Sequence, residues 1–76
     1  MTLSGKWSSN GQHFEIIQIK DEFVVLDTRT DNQFWGEIMN ATHIQIEGGE
    51  IGFLKSGYIE FDFETWRKEF CNYTQF

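Results

Sequence analysis

Turn signals recur along this chain at intervals of about eight to twelve residues, the spacing of a small all-β domain. Asn10-Gly11, Gly48-Gly49 and Ser56-Gly57 separate short segments rich in Phe, Ile, Val and Tyr. Asn-Gly and Gly-Gly pairs favour two-residue hairpins, because both central residues of such turns need positive φ. The chain has no proline, so every segment can hydrogen-bond on both sides. We therefore predict an all-β fold in which sequential strands pair antiparallel as an up-and-down meander.

A chain of 76 residues has room for one domain, which we place at residues 1–76. With connections this short, the meander should curl into a partial or small barrel. The predicted strands cover residues 3–8, 12–19, 22–28, 33–39, 42–47, 50–54 and 57–63.

The hydrophobic pattern differs between the early and the late strands. The late strands alternate and have one polar face, with Ile44, Ile46, Ile59, Phe61 and Phe63 expected to point inward. The early strands carry apolar residues on both faces, and their second face contains Ile17, Ile19, Val24, Leu26, Trp35 and Met39. We expect this second face to be covered.

Two covers are compatible with the sequence. Trp66, Phe70 and Tyr73 are spaced to share one face of a short C-terminal helix, which Thr65 could cap. Alternatively, residues 65–70 form one more strand, an irregular tail follows, and a second subunit supplies the cover. We favour the strand.

Charge and cysteine content exclude several classes of function. Twelve acidic residues oppose six basic ones, whereas nucleic-acid binding needs a dense Lys/Arg surface. The N-terminal MTLSGKW lacks the charged head and apolar core of a signal peptide, and no apolar run approaches membrane-spanning length. Cys71 is the single cysteine and fits a reducing compartment. We therefore expect a cytoplasmic protein that binds neither nucleic acid nor membranes.

Candidate catalytic and metal-binding groups are sparse. His13 and His43 stand apart with no second thiol, which argues against a zinc site. No local signature pairs either histidine with the serines beside Trp7, which are Ser4, Ser8 and Ser9. Three carboxylates are expected on the same outward face as His43: Glu47, Glu60 and Asp62. The predicted strand 50–54 separates the two strands that carry these side chains, which argues against a shared site. We predict no enzyme activity, no metal and no cofactor.

The first strand nevertheless resembles that of a known group of ligand-binding barrels. Leu3-Ser4-Gly5-Lys6-Trp7 is similar to the first strand of calycins, the lipocalin and avidin-type barrels, and is closest to avidins. The resemblance implies an up-and-down meander with Trp7 as a core plug. It also implies that Ser9 and Gln12 occupy positions that contact the ligand in avidins. The chain is short for eight strands that surround a cavity, so we do not predict biotin-type binding.

These observations lead to a functional hypothesis and one alternative. We predict a non-enzymatic protein-interaction or accessory module that self-associates as a homodimer. The alternative is a calycin-like binder of a small hydrophobic molecule. The candidate residues for binding a ligand or partner are Trp7, Trp35, Tyr58 and Trp66. Of these, Tyr58 should be exposed, while Trp35 and Trp66 should lie in the core or a dimer interface.

Overall fold

Eight antiparallel strands form a closed barrel in the computed structural model, which describes residues 2–69. Each strand pairs with the next along the chain, and the last returns to the first, with Trp7 opposite Lys68 and Ser8 opposite Arg67. The predicted all-β meander is therefore confirmed, and it closes completely. The strands are β1 (Gly5–Ser9), β2 (Gln12–Ile19), β3 (Glu22–Asp27), β4 (Gln33–Ile38), β5 (His43–Ile46), β6 (Ile51–Lys55), β7 (Tyr58–Glu60) and β8 (Thr65–Lys68).

The structure of residues 65–68 distinguishes between the two conformations considered for the C-terminal segment, a strand and a helix. Residues 65–68 form β8, which confirms the favoured strand there and shows that the alternative helix is wrong at its first turn, while Phe70, Cys71 and Tyr73 lie outside the described residues. Residues 2–69 contain no helix with the length and apolar character needed to cross a membrane.

The predicted strand 57–63 was too long. β7 ends at Glu60, and the amide of Phe61 donates to the carbonyl of Glu64 across a turn, at 2.9 Å. Phe61 remains buried, but the turn directs Phe63 to the surface, where it is 55% exposed. Its predicted inward orientation is therefore wrong.

The turns divide the barrel into two ends. The first, here called the Asn10 end, contains the connections 10–11, 28–32, 47–50 and 61–64. The opposite Ser56 end contains the connections 20–21, 39–42 and 56–57. At the Asn10 end, Asn10 and Gly11 have φ values of 52° and 79°, so both central residues of this hairpin have the predicted positive φ.

Side chains fill the barrel interior, and two inward-facing glycines make room for them. A Cβ atom on Gly36 would overlap Cζ of Phe23, the residue opposite it on β3. On Gly52 it would lie 2.7 Å from Phe61 and 2.8 Å from Ile59. Strands of three to eight residues can therefore enclose a dense apolar core. Its buried members are Leu3, Trp7, Ile16, Phe23, Val25, Ile44, Ile46, Ile59, Phe61 and Trp66.

Two tryptophans occupy different ends of this interior. Trp7 lies towards the Ser56 end, where its indole nitrogen donates to the carbonyl of Leu3 at 2.8 Å. Trp66 lies towards the Asn10 end, with its ring centroid 5.0 Å from that of Phe14 and 4.6 Å from that of Phe61. Both indoles are almost completely buried, so neither lies on the outer surface of the barrel.

Candidate functional site

The four tryptophan and tyrosine residues selected from the sequence do not form one site. Trp7 and Trp66 are inside the barrel, whereas Trp35 is on the outside of β4 with 45% of its surface exposed. Tyr58 is on β7 and is half-buried, with the guanidinium carbon of Arg67 at 5.5 Å from its ring centroid. The expected exposure of Tyr58 is therefore not observed, because Arg67 packs over the ring.

The outside of β2–β4 carries a continuous apolar surface, which we call the outer patch: Ile17, Ile19, Val24, Leu26 and Trp35. Val24 is directly opposite Ile17 on β2 and Trp35 on β4, so these three side chains form a row across the sheet. The flanking side chains leave Val24 only 9% exposed, although it points away from the core. Ile17, Ile19 and Trp35 remain exposed within the part of the chain that the structure describes. The second apolar face expected from the sequence is therefore present.

Acidic residues surround the outer patch. Glu22 on β3 is directly opposite Glu37 on β4, next to Ile19, which pairs with Glu22 from β2. Glu15 and Glu47 complete the rim, and the Glu47 carboxylate accepts a hydrogen bond from the backbone amide of Trp35 at 2.6 Å. None of these four glutamates forms a salt bridge within residues 2–69. The patch thus combines an apolar centre with a negatively charged border.

A second concave feature, which we call the end cleft, lies at the Asn10 end of the barrel and has a volume of about 200 Å³. Its apolar lining consists of Phe14, Val25, Phe34 and Trp66. Its polar lining consists of Ser9, Gln12, His13, Asp27, Asn32 and Glu64. None of these lining residues is Lys or Arg. The cleft therefore has an aromatic floor and a polar, acidic entrance.

Several polar side chains of the end cleft have a partner among the described residues. The indole nitrogen of Trp66 donates to Oε2 of Glu64 at 2.6 Å, and Oδ1 of Asp27 accepts from the amide of Arg29 at 2.9 Å. Nδ1 of His13 lies 2.5 Å from Oε2 of Glu69. Ser9 differs: its Oγ is buried and has no hydrogen-bond partner among the described residues.

Sequence reasoning found only part of this cleft. The calycin resemblance pointed to Ser9 and Gln12, and both line it. Asp27, Asn32 and Glu64 were missed, because they lie at strand ends and turns with no local pattern that links them. Their juxtaposition depends on the closure of the barrel, which brings the turns 28–32 and 61–64 to the same end.

Ser4 and His43 make structural contacts. Oγ of Ser4 accepts a hydrogen bond from the amide of Gln18 at 2.9 Å. Nδ1 of His43 lies 2.7 Å from Oγ1 of Thr42, and its ring packs edge-on against Phe53 at 4.8 Å between centroids. As expected, β6 separates His43 from Glu60. Within residues 2–69, no three His, Cys, Asp or Glu side chains form a group suited to a metal ion.

Comparison with known proteins gives no assignment: no protein-family model, no curated protein and no solved structure matches the chain. The outer patch and the end cleft are therefore interpreted from their own geometry and chemistry.

Proposed function

We propose that this protein is a non-enzymatic protein-interaction module that binds a partner through the outer patch. The observation that carries the proposal is the row of Ile17, Val24 and Trp35 across three adjacent strands. Closure of the barrel pairs β1 with β8, so no long strand edge within residues 2–69 is available for a partner strand. A partner therefore has to bind a face, and an exposed tryptophan on an apolar face is a typical binding hot spot.

The charges around the patch indicate the chemistry of the partner. Like charges directly opposite each other on adjacent strands are destabilising, and Glu22 and Glu37 form such a pair. A partner with lysine or arginine around an apolar centre would neutralise this pair and accelerate association. We therefore expect the partner to be a protein with a basic rim around an apolar surface.

The predicted homodimer is the competing occupant of the outer patch. A second copy would cover the apolar row, but it would also bring its own acidic rim against the first. Each chain carries a net charge of −6, so repulsion opposes this arrangement at low ionic strength. The basic partner is for this reason the favoured occupant, and the homodimer remains a prediction.

The test compares two substitutions of exposed aromatic residues on different sides of the barrel. Trp35→Ser removes the exposed aromatic residue of the outer patch, while Phe53→Ser removes an aromatic residue of similar exposure on β6. Proteins retained by each immobilised variant from a lysate would be identified, purified and titrated individually by calorimetry. For a partner of the patch, we expect Trp35→Ser to weaken binding by about 2 kcal/mol or more, the effect of losing a hot spot. Phe53→Ser should leave binding almost unchanged.

The purified complex also tests the partner's chemistry. Binding should weaken as salt screens the acidic rim, and Glu22→Gln/Glu37→Gln should reduce that salt dependence. A partner whose affinity is indifferent to Trp35→Ser, or one that binds equally at low and high salt, would contradict the proposal.

A further inference from the structure

The end cleft supports a second, independent inference, which does not rest on the proposed protein interaction. Ser9 is about nine-tenths buried and lines the cleft, and its hydroxyl has no hydrogen-bond partner within residues 2–69. An unpartnered buried hydroxyl is unfavourable, because it has lost its hydrogen bonds to water without replacement. Ser8, the preceding residue of β1, points to the opposite face of the strand. Of the two serines, Ser9 is therefore the one on the inner face of the barrel, at the Asn10 end.

The floor and size of the cleft indicate an aromatic occupant. Phe14 and Phe34 surround Trp66, with centroid distances of 5.0 Å and 6.1 Å, and neither phenylalanine is completely buried. Tilted aromatic rings at these distances provide favourable edge and face contacts for a further ring. The volume of about 200 Å³ exceeds the roughly 150 Å³ of an engineered apolar cavity that binds benzene. One substituted benzene ring therefore fits.

The charge at the entrance indicates a cationic substituent. Asp27 and Glu64 line the cleft, and no lysine or arginine is among its lining residues. Asp27 is close to Arg29, with 4.0 Å between Oδ1 and Nε, whereas the Glu64 carboxylate contacts the neutral indole of Trp66. His13 is directed to Glu69, at 2.5 Å. An ammonium group would be attracted by the carboxylates and the aromatic faces, whereas a carboxylate ligand would be repelled.

We propose that the end cleft is a binding site for a small arylalkylamine. Its ring lies on the floor formed by Phe14, Phe34 and Trp66. Its ammonium group donates to Glu64 and to the Oγ of Ser9, which thereby gains the hydrogen bond it lacks. The site is a binding site only, and no bond is made or broken in it.

Three nearly isosteric probes test the assignment: 2-phenylethylamine, 2-phenylethanol and 3-phenylpropionate. Each is titrated to millimolar concentration against the ¹⁵N-labelled full chain, and the backbone amide of Ser9 and the indole N–H of Trp66 are followed by NMR. We expect the amine to bind about fivefold more tightly than the alcohol, because a charge-assisted hydrogen bond is stronger than a neutral one. The propionate should bind most weakly.

Substitutions of Ser9 and Glu64 separate the role of the hydroxyl group from that of the carboxylate. Ser9→Ala should weaken the amine about threefold, the effect of one lost hydrogen bond, while the matched variant Ser8→Ala should not change its affinity. Glu64→Gln should abolish the preference of the amine over the alcohol. The outward-facing Glu60→Gln serves as its control.

Three outcomes would overturn the inference. One is that no probe shifts the Ser9 and Trp66 signals of the wild-type protein. Another is that the three probes bind equally well. Shifts that centre on Trp35 would also overturn it, because they would assign the binding to the outer patch. All of these outcomes are measured on the wild-type chain, so they do not depend on whether a variant folds.

Discussion

At the scale of single residues, Gly36 and Gly11 are required for two different physical reasons. Gly36 has an ordinary backbone conformation, and its role is steric, since the ring of Phe23 occupies the space a side chain would need. Around Gly11, no atom of residues 2–69 other than its own and those of its two chain neighbours lies within 4 Å of the position that a Cβ would take, and its role is conformational, since φ is 79°. The same residue type is therefore required once by packing and once by backbone geometry.

Gly36→Ala should lower the free energy of unfolding by about 1–3 kcal/mol, the usual cost of overpacking a close-packed interior. Urea denaturation of the wild type and the variant measures the change. The second variant, Phe23→Leu/Gly36→Ala, supplies the control, because the smaller side chain leaves room for the added methyl group. The double variant should lose less stability than the sum of the two single variants. Strict additivity would contradict the contact.

At the scale of elements, the β1–β2 hairpin shows how strongly a short turn determines register. With Asn10 and Gly11 both at positive φ, Ser9 is directly opposite Gln12, and Trp7 is opposite Phe14. A shift of one residue would turn every side chain of one strand to the other face. It would move Trp7 and Ser9 together from the inside of the barrel to the outside.

Gly11→Ala should lower the free energy of unfolding by about 1–2 kcal/mol, because the left-handed conformation is unfavourable for residues with a Cβ. Since nothing would contact the added methyl group, this loss reports backbone strain alone. Thermal and urea denaturation measure it. Gly11→Asn is the matched control, because asparagine tolerates positive φ better than alanine does. A loss as large for asparagine as for alanine would contradict this explanation.

At the scale of the whole molecule, the net charge and the outer patch have opposite effects on self-association. The patch favours self-association, while a net charge of −6 on each chain opposes it. Salt screens charge repulsion but leaves apolar burial in place, so ionic strength decides which of the two dominates.

We expect a monomer at low ionic strength and an increasing dimer fraction as salt is raised, measured by sedimentation velocity. Trp35→Ser should reduce the dimer fraction at high salt, and Phe53→Ser should not. A dimer that is stable at low salt and indifferent to Trp35→Ser would place the interface away from the outer patch.

The sequence by itself determined most of the strands and turns and the presence of two apolar faces on the early strands, but not the turn that ends β7 at Glu60. These depend on local properties: strand alternation with a period of two, and turns that need residues tolerant of positive φ. The alternation therefore showed that Phe14 and Ile16 share one face of the sheet and Ile17 and Ile19 the other, but with apolar residues on both faces it did not show which face is the interior. The calycin resemblance of the first strand also came from the sequence, and it stays a prediction.

Only the tertiary structure decided how the sheet closes. β8 pairs with β1 although nearly the whole chain separates them, and no local pattern encodes that pairing. Closure decides that Trp66 is buried while Trp35 is exposed, although both are tryptophans in predicted apolar segments. It also gathers Ser9, Asp27 and Glu64 around one cleft. Such positions follow from long-range pairing and from the small interior of an eight-stranded barrel, which exist only once the whole chain has folded.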